Sequence, residues 1–414
     1  MQPENNPPHP SYRTLILVSC IVGMGCYTGA YMRIPVLPLF ARSLGAAAVE
    51  IGLINSCFML AASLFAIPLG IVSDRIGRKP VAMAGLLMLA LSSFLLGLSR
   101  TPAQMMIIYV FAGVGISAFG PTMMSFVADF SPATHLGRSY GFYTMAIYGG
   151  MTLGPAIGGS LAHMFGYQRV FTISAILCFI MLLIVMLTFP ARRSPRSRNL
   201  QKDETIKKIH ALLKNRRLLA CWLVTLFSCF GLGVFITFLP LHANDHGIGA
   251  GQIGLIFATQ AIVNALGRIP FGYLSDWVSD RSNLVLAGLL GYSISIAGMG
   301  LSTSPAMFFA SAFVMGISMG IAFTALGAMI SEMVPVDFRG MAMGGYNTCI
   351  YIGMMLSGLV MGVVAHHFGF HTCFLITACV NAAGAFAFIL VFKSVPVGNK
   401  GLSVNRPFGD RAGF

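Results

Sequence analysis

Two apolar runs, Ile51 to Leu69 and Pro80 to Leu98, are separated by only Gly70-Ile71-Val72-Ser73-Asp74-Arg75-Ile76-Gly77-Arg78-Lys79. Each run has the roughly 20 residues that an α-helix needs to cross the hydrocarbon core of a bilayer. In lipid every backbone N–H and C=O needs a partner within the chain, so spans joined this tightly are helices in a hairpin. The chemistry of the turn sets it at the membrane surface. Arg75, Arg78 and Lys79 hold it on the cytoplasmic side, because basic residues accumulate there. Asp74 puts a carboxylate at the boundary, where it meets a base or the positive N-terminus of another helix. Gly70 leaves room for a neighbouring helix to approach.

The rest of the chain repeats this theme. Of its 414 residues, 56% are hydrophobic and 9% are charged. A soluble domain carries about 25% charged residues, so this chain is dissolved in lipid. The formal net charge of +14 would suggest nucleic acid in a soluble protein. Here ten Lys and Arg against two acids fall between Ala191 and Arg217, which reads as a loop facing anionic headgroups rather than a nucleic-acid surface. The nine cysteines lie in or near apolar runs with no metal-ligand spacing, and no nucleotide-binding loop is present. No cofactor, metal site or enzymatic constellation is expected.

Apolar runs predict helices near 14–38, 50–73, 80–99, 103–129, 138–163 and 168–190, then near 218–242, 251–275, 283–302, 306–332, 340–366 and 370–393. The second set repeats the first. At an offset of 202, Pro68-x-Gly70-x-x-x-Asp74 matches Pro270-x-Gly272-x-x-x-Asp276. At 203, Asp129 matches Glu332, Tyr148 matches Tyr351 and Gly166 matches Gly369. The expected fold class is therefore an all-α integral membrane protein with twelve transmembrane helices in two six-helix parallel repeats. Its parts are a tail over 1–13, bundles over 14–190 and 218–393, a basic linker over 191–217 and a tail over 394–414. Basic residues place both termini in the cytoplasm of a cell with its inner (plasma) membrane as host. Within the linker, Ile206, Ile209, Leu212 and Leu213 stripe a cationic segment from Lys202 to Arg217, expected to lie as a helix on the membrane surface.

The Gly70–Lys79 stretch resembles the signature loop of the major facilitator superfamily, and the resemblance covers about Thr14 to Lys393. Gly150-x-x-x-Gly154-Pro155-x-x-Gly158-Gly159 in the fifth helix resembles the antiporter motif of the exporter branches. These resemblances imply a transporter that alternates between two facing states, here an efflux protein related to multidrug exporters, with protons as coupling ion. One mark of proton-coupled drug exporters departs: the arginine expected four residues before Gly113 is Tyr109.

Within the spans the polar residues are basic or amide rather than acidic. Arg33 follows Tyr27 and Tyr31 on helix 1. Gln260, Asn264 and Arg268 recur every four residues on helix 8. With Tyr143, Tyr346, Asn347 and Tyr351 they form the candidate substrate cavity, since intramembrane ionisable groups face a cavity or a partner. Two readings stand for Arg33, a cavity wall or a side chain reaching the outer surface. Two also stand for Arg268, a cavity wall or a contact near the inner gate. That gate is expected to be electrostatic: Asp74 facing Arg339, Asp276 facing Arg138, Arg78 and Lys79 with Asp129, and Arg75 and Glu332 nearby. The expected ligands are a small molecule, lipid and protons, and the expected state is a monomer. Import of an anionic metabolite and a non-transporting sensor remain as alternatives.

Overall fold

The structure, a computed structural model, describes residues 12–132, 135–190, 210–278, 280–335 and 338–394. These residues are helical throughout, joined by turns. We number the long helices by span: α1 Tyr12–Met32, continued by a short helix Leu37–Ser43, α2 Ala48–Ile76, α3 Arg78–Leu98, α4 Pro102–Phe130, α5 Leu136–Phe165 and α6 Tyr167–Thr188. The second half has α7 Arg216–Asp245, α8 Ala250–Trp277, α9 Arg281–Leu301 and α10 Pro305–Glu332. A final helical stretch, Arg339–Ser394, is divided at Gly369 (φ 79°) into α11 (339–368) and α12 (370–394). Gly166, its counterpart in the first half, turns between α5 and α6 with φ 83°.

Ten helical stretches are long and apolar enough to cross a membrane. One of these is the 56-residue pair α11–α12. Adding α5, whose glycines and tyrosines dilute its apolarity, gives twelve spans among the described residues. Many large side chains point outward with nothing to cover them but lipid, among them Leu64, Ile67 and Leu187.

Local chemistry explains where the expected boundaries move. Helix 1 does not run unbroken to Pro38. Pro35 has no N–H to continue the ladder, and the chain turns through Ile34 N–H to Tyr31 C=O and Val36 N–H to Arg33 C=O, both 3.1 Å. The surface helix expected over Lys202–Arg217 falls largely outside the described residues. Residues 210–214 are helical, but Asn215 then caps α7 by accepting from the Leu218 N–H at 3.2 Å, so Arg216 and Arg217 belong to the next span. Leu212 is buried in the second bundle, while Leu213 is exposed.

Among the described residues the two halves meet at one end only. One apolar core there draws Phe40 and Phe171 from the first half and Phe238, Phe308 and Phe374 from the second. At the end carrying Arg78 and Lys79, called the basic end below, two cores remain apart. One is built around Phe126 and Phe189, the other around Leu289 and Phe388. Between them a cleft opens toward the basic end.

Candidate functional site

The closed end is held by backbone approach across the halves. Gly52 on α2 lies against Gly358 and Gly362 on α11, and Gly254 on α8 lies against Pro155 and Gly159 on α5. A side chain at Gly52, Gly358, Gly254 or Gly159 would strike backbone, which is why small residues sit there. Hydrogen bonds complete the seal. The Asn55 amide donates to Thr237 Oγ1 at 2.8 Å, and Ser56 Oγ donates to the Met355 carbonyl at 2.7 Å. At the rim Arg42 pairs with Asp245 at 2.5 Å.

Below the seal lies a two-lobed cavity. The smaller lobe, 290 Å³, reaches up to Arg33 and Asn55. The larger, 770 Å³, extends toward the basic end past Gln260, Asn264 and Arg268. Tyr31, Met151 and Asn347 line both, so the lobes are continuous. Much of the wall is apolar, with methionines and aromatic rings such as Phe58, Phe257, Met319 and Phe323 among aliphatic side chains. No carboxylate belongs to the wall of either lobe among the described residues.

Of the residues expected here, Tyr27, Arg33 and Tyr351 line the smaller lobe and Gln260, Asn264, Arg268 and Tyr346 the larger. Tyr143 is not a cavity residue. Its ring is fully buried and fills the gap opposite Gly23 between α1 and α5. Arg33 does not reach the outer surface; it is 1% exposed, with its guanidinium 5.8 Å from the ring centre of Tyr109. The α4 position without the exporters' arginine thus faces an arginine from the turn that follows α1. Arg268 lies 4.2 Å from the ring centre of Tyr148 on α5, and its Nε donates to Asn264 Oδ1 at 3.2 Å. Sequence reasoning missed Asn55, Tyr109, Tyr148 and Thr237 as wall residues. Tyr148 could have been found, since it is the repeat counterpart of Tyr351.

At the basic end one of the expected gate pairs, Arg78 with Asp129, is present, and the cross-half pairing of Asp74 with Arg339 is not. Arg78 pairs with Asp74 and, through Nε at 3.0 Å, with Asp129. Its repeat counterpart Arg281 pairs with Glu332 at 2.5 Å. These bonds tie α2, α3 and α4 together within the first half, and α9 to α10 within the second. Lys79 does not meet Asp129; it donates to the carbonyls of Met186 (2.8 Å) and Phe189 (2.7 Å), the negative end of α6. Arg339 donates to the Ser331 carbonyl at 3.0 Å rather than facing Asp74, and Arg138 lies over Phe142. Arg75 is exposed, Gly70 has open space beside it, and the side chain of Asp276 lies outside the described residues. The expected cross-half pairs need a closed basic end, and here that end is open.

In α5 the glycine motif serves two contacts. Gly150, Gly154 and Gly158 seat α5 on α1, within the first half. Pro155 and Gly159 meet α8 across the halves.

The sequence model of the Major Facilitator Superfamily matches residues 19–249 and 221–410. An uncharacterized MFS-type transporter of Methanocaldococcus jannaschii is 28% identical over 340 residues, 81% of this chain and 87% of that protein. The multi-drug resistance efflux pump PmrA of Streptococcus pneumoniae is 25% identical over 380 residues, 89% and 94% of the two chains. Among solved structures, a bacterial homolog of the human lysosomal transporter Spinster, inward-facing and unoccupied, superposes with a TM-score of 0.81 at 16% identity, covering 94% of this chain and 98% of the other. With two six-helix halves, a central cavity and a family match across nearly its whole length, the chain belongs to the Major Facilitator Superfamily: it is an integral membrane transporter and not an enzyme.

Proposed function

We propose that the protein exports small organic anions by alternating access, with the basic end and both termini in the cytoplasm of a cell and the plasma membrane as its site. The observation that carries this reading is the cavity wall, which holds Arg33 and Arg268 and no carboxylate among the described residues. In a low-dielectric cleft such a wall attracts an anion and repels lipophilic cations. Basic residues gather on cytoplasmic faces, so the open end supports a substrate entering from inside. Efflux is supported by the resemblance of the α5 motif to exporters and by the PmrA match. An inside-negative potential itself favours exit of an anion, by about 2.3 kcal/mol per charge per 100 mV.

Exchange of protons for substrate is the second reading, favoured by that same motif. Purified protein in proteoliposomes separates the two. Flux of 2-naphthoate should respond to an imposed potential and ignore an imposed pH gradient. Exchange of one proton for one anion moves two charges, so flux that follows both the potential and the pH gradient selects proton exchange. Transport of tetraphenylphosphonium in place of the anion overturns the proposal.

A further inference from the structure

We propose that Arg33 anchors the acidic group of the transported molecule, and that this molecule is an amphipathic organic acid whose apolar body fills the larger lobe. The inference rests on the cavity being the transport site and goes beyond it by choosing between the two arginines.

Arg33 is buried and poorly satisfied. Its Nε donates only to the Ala30 carbonyl, at a long 3.4 Å, and its Nη1 has no hydrogen-bond partner among the described residues. Tyr109 offers a ring face but no charge. A buried guanidinium without a counter-charge is strongly unfavourable. A carboxylate or phosphate entering the smaller lobe supplies that charge, and two of its oxygens match the planar fork of donors. Arg268 is in the opposite condition. Its Nε is engaged by Asn264 and its face by Tyr148.

The geometry around Arg33 also suits release. The Asn55–Thr237 bond runs from α2 to α7, one helix from each half, in the wall of the same lobe. An anion on Arg33 therefore sits beside the seal that parts when the far end opens. The two lobes are continuous, so the body of a substrate too large for the 290 Å³ lobe extends into the 770 Å³ lobe, among methionines and rings.

The test uses probes that share one apolar body: 2-naphthoate, 2-naphthyl phosphate, 2-naphthylmethanol and (2-naphthylmethyl)trimethylammonium. Binding to the purified full chain is measured for the wild type, Arg33→Gln, Arg33→Lys and Arg268→Gln. The wild type should bind the two anions at least about ten-fold tighter than the alcohol, the scale of charge-assisted hydrogen bonds. Arg33→Gln should bring the anions down to the alcohol, with Arg33→Lys between. Arg268→Gln should weaken anions and alcohol alike, so their ratio holds. Without ligand, Arg33→Gln should melt at a higher temperature than the wild type, whereas an arginine kept for packing would melt lower on replacement. If Arg33→Gln keeps the anion preference and Arg268→Gln loses it, the anchor is Arg268 and this proposal fails while an anion-selective cavity stands. If the wild type prefers the ammonium, or binds neither anion, both fail.

Discussion

Gly52 and Gly70 lie on the same face of α2, yet only Gly52 has a neighbouring helix against it. Eighteen residues make five turns, about 27 Å along the axis. The same spacing recurs on the facing helix. Gly340 and Gly344 on α11 stand five turns before Gly358 and Gly362, and a side chain at either would meet nothing. On the other seam, Gly254 is packed and Gly272 is open on α8, while Gly159 is packed and Gly141 is open on α5. Because α2 and α11 run in opposite directions, rocking the halves would bring Gly70 to Gly340 and Gly344 as Gly52 leaves its partners. The same holds for Gly272 and Gly141.

Opposite substitutions on α2 should then push in opposite directions. Gly52→Leu overpacks the closed seam, a penalty of roughly 1–3 kcal/mol, and should shift the population away from the state described here. Gly70→Leu meets open space in this state and should trap it. Thiol accessibility at the two ends reads the shift. Both variants should insert normally and lose transport, and equal accessibility in the two would refute the scheme.

Within α5 the glycines divide by role. A Cβ at Gly154 would come within 2.7 Å of Tyr31 Cβ and 2.8 Å of the Thr28 carbonyl, both inside the first half. Gly154→Leu should therefore lower the melting temperature in either state. Gly159→Leu obstructs only the α8 contact, so it should alter end accessibility more than stability. Melting curves on the two variants check the distinction.

The rim pair Arg42–Asp245 is partly exposed, 43% and 37% by side chain. Such pairs contribute about 0–1 kcal/mol and weaken with salt. Arg42→Ala should leave the melting temperature almost unchanged but increase thiol accessibility at that end. Raising ionic strength should do the same in the wild type. A large drop in stability would mean that the pair holds the fold rather than the state.

Asp280 lies between α8 and α9 and caps α9, accepting from Ser282 Oγ at 2.6 Å and Ser282 N–H at 3.0 Å. The Ser282 hydroxyl, then its N–H and the charges of Lys393 and Arg217, hold its carboxyl below the ordinary value of 3.8 despite some burial. A folded-state pKa below the unfolded one stabilises above the unfolded value and is lost as pH falls through the folded one. Asp280→Ala should cost about 1 kcal/mol at neutral pH, and much less once the carboxyl is protonated. A difference in melting temperature independent of pH down to acid denaturation would contradict the cap.

Most of the architecture was legible in the sequence because bilayer thickness fixes span length and the repeat at 202–203 doubles every observation. Arg33 and Arg268 were legible as charges in spans, but their surroundings were not. Whether a long side chain reaches water or a cavity depends on the turn at Pro35 and on a ring from another helix. Tyr143 misled because tyrosine serves packing and binding equally well, and only Gly23 opposite it reveals the packing role. Of the gate pairs, Arg78–Asp129 was legible and lies within one half, so it is present with the basic end open, whereas the cross-half pairs were read for a closed basic end. A sequence does not say which of two states it is seen in.

The glycine spacing implies that one set of helix faces seals both ends in turn. Disulfide cross-linking of Gly70→Cys with Gly344→Cys, in a background without the nine native cysteines, tests it most directly. The pair should cross-link only in molecules that have left the state described here, and flux should stop when it forms. Full transport with no cross-link under any substrate or imposed potential would contradict the account.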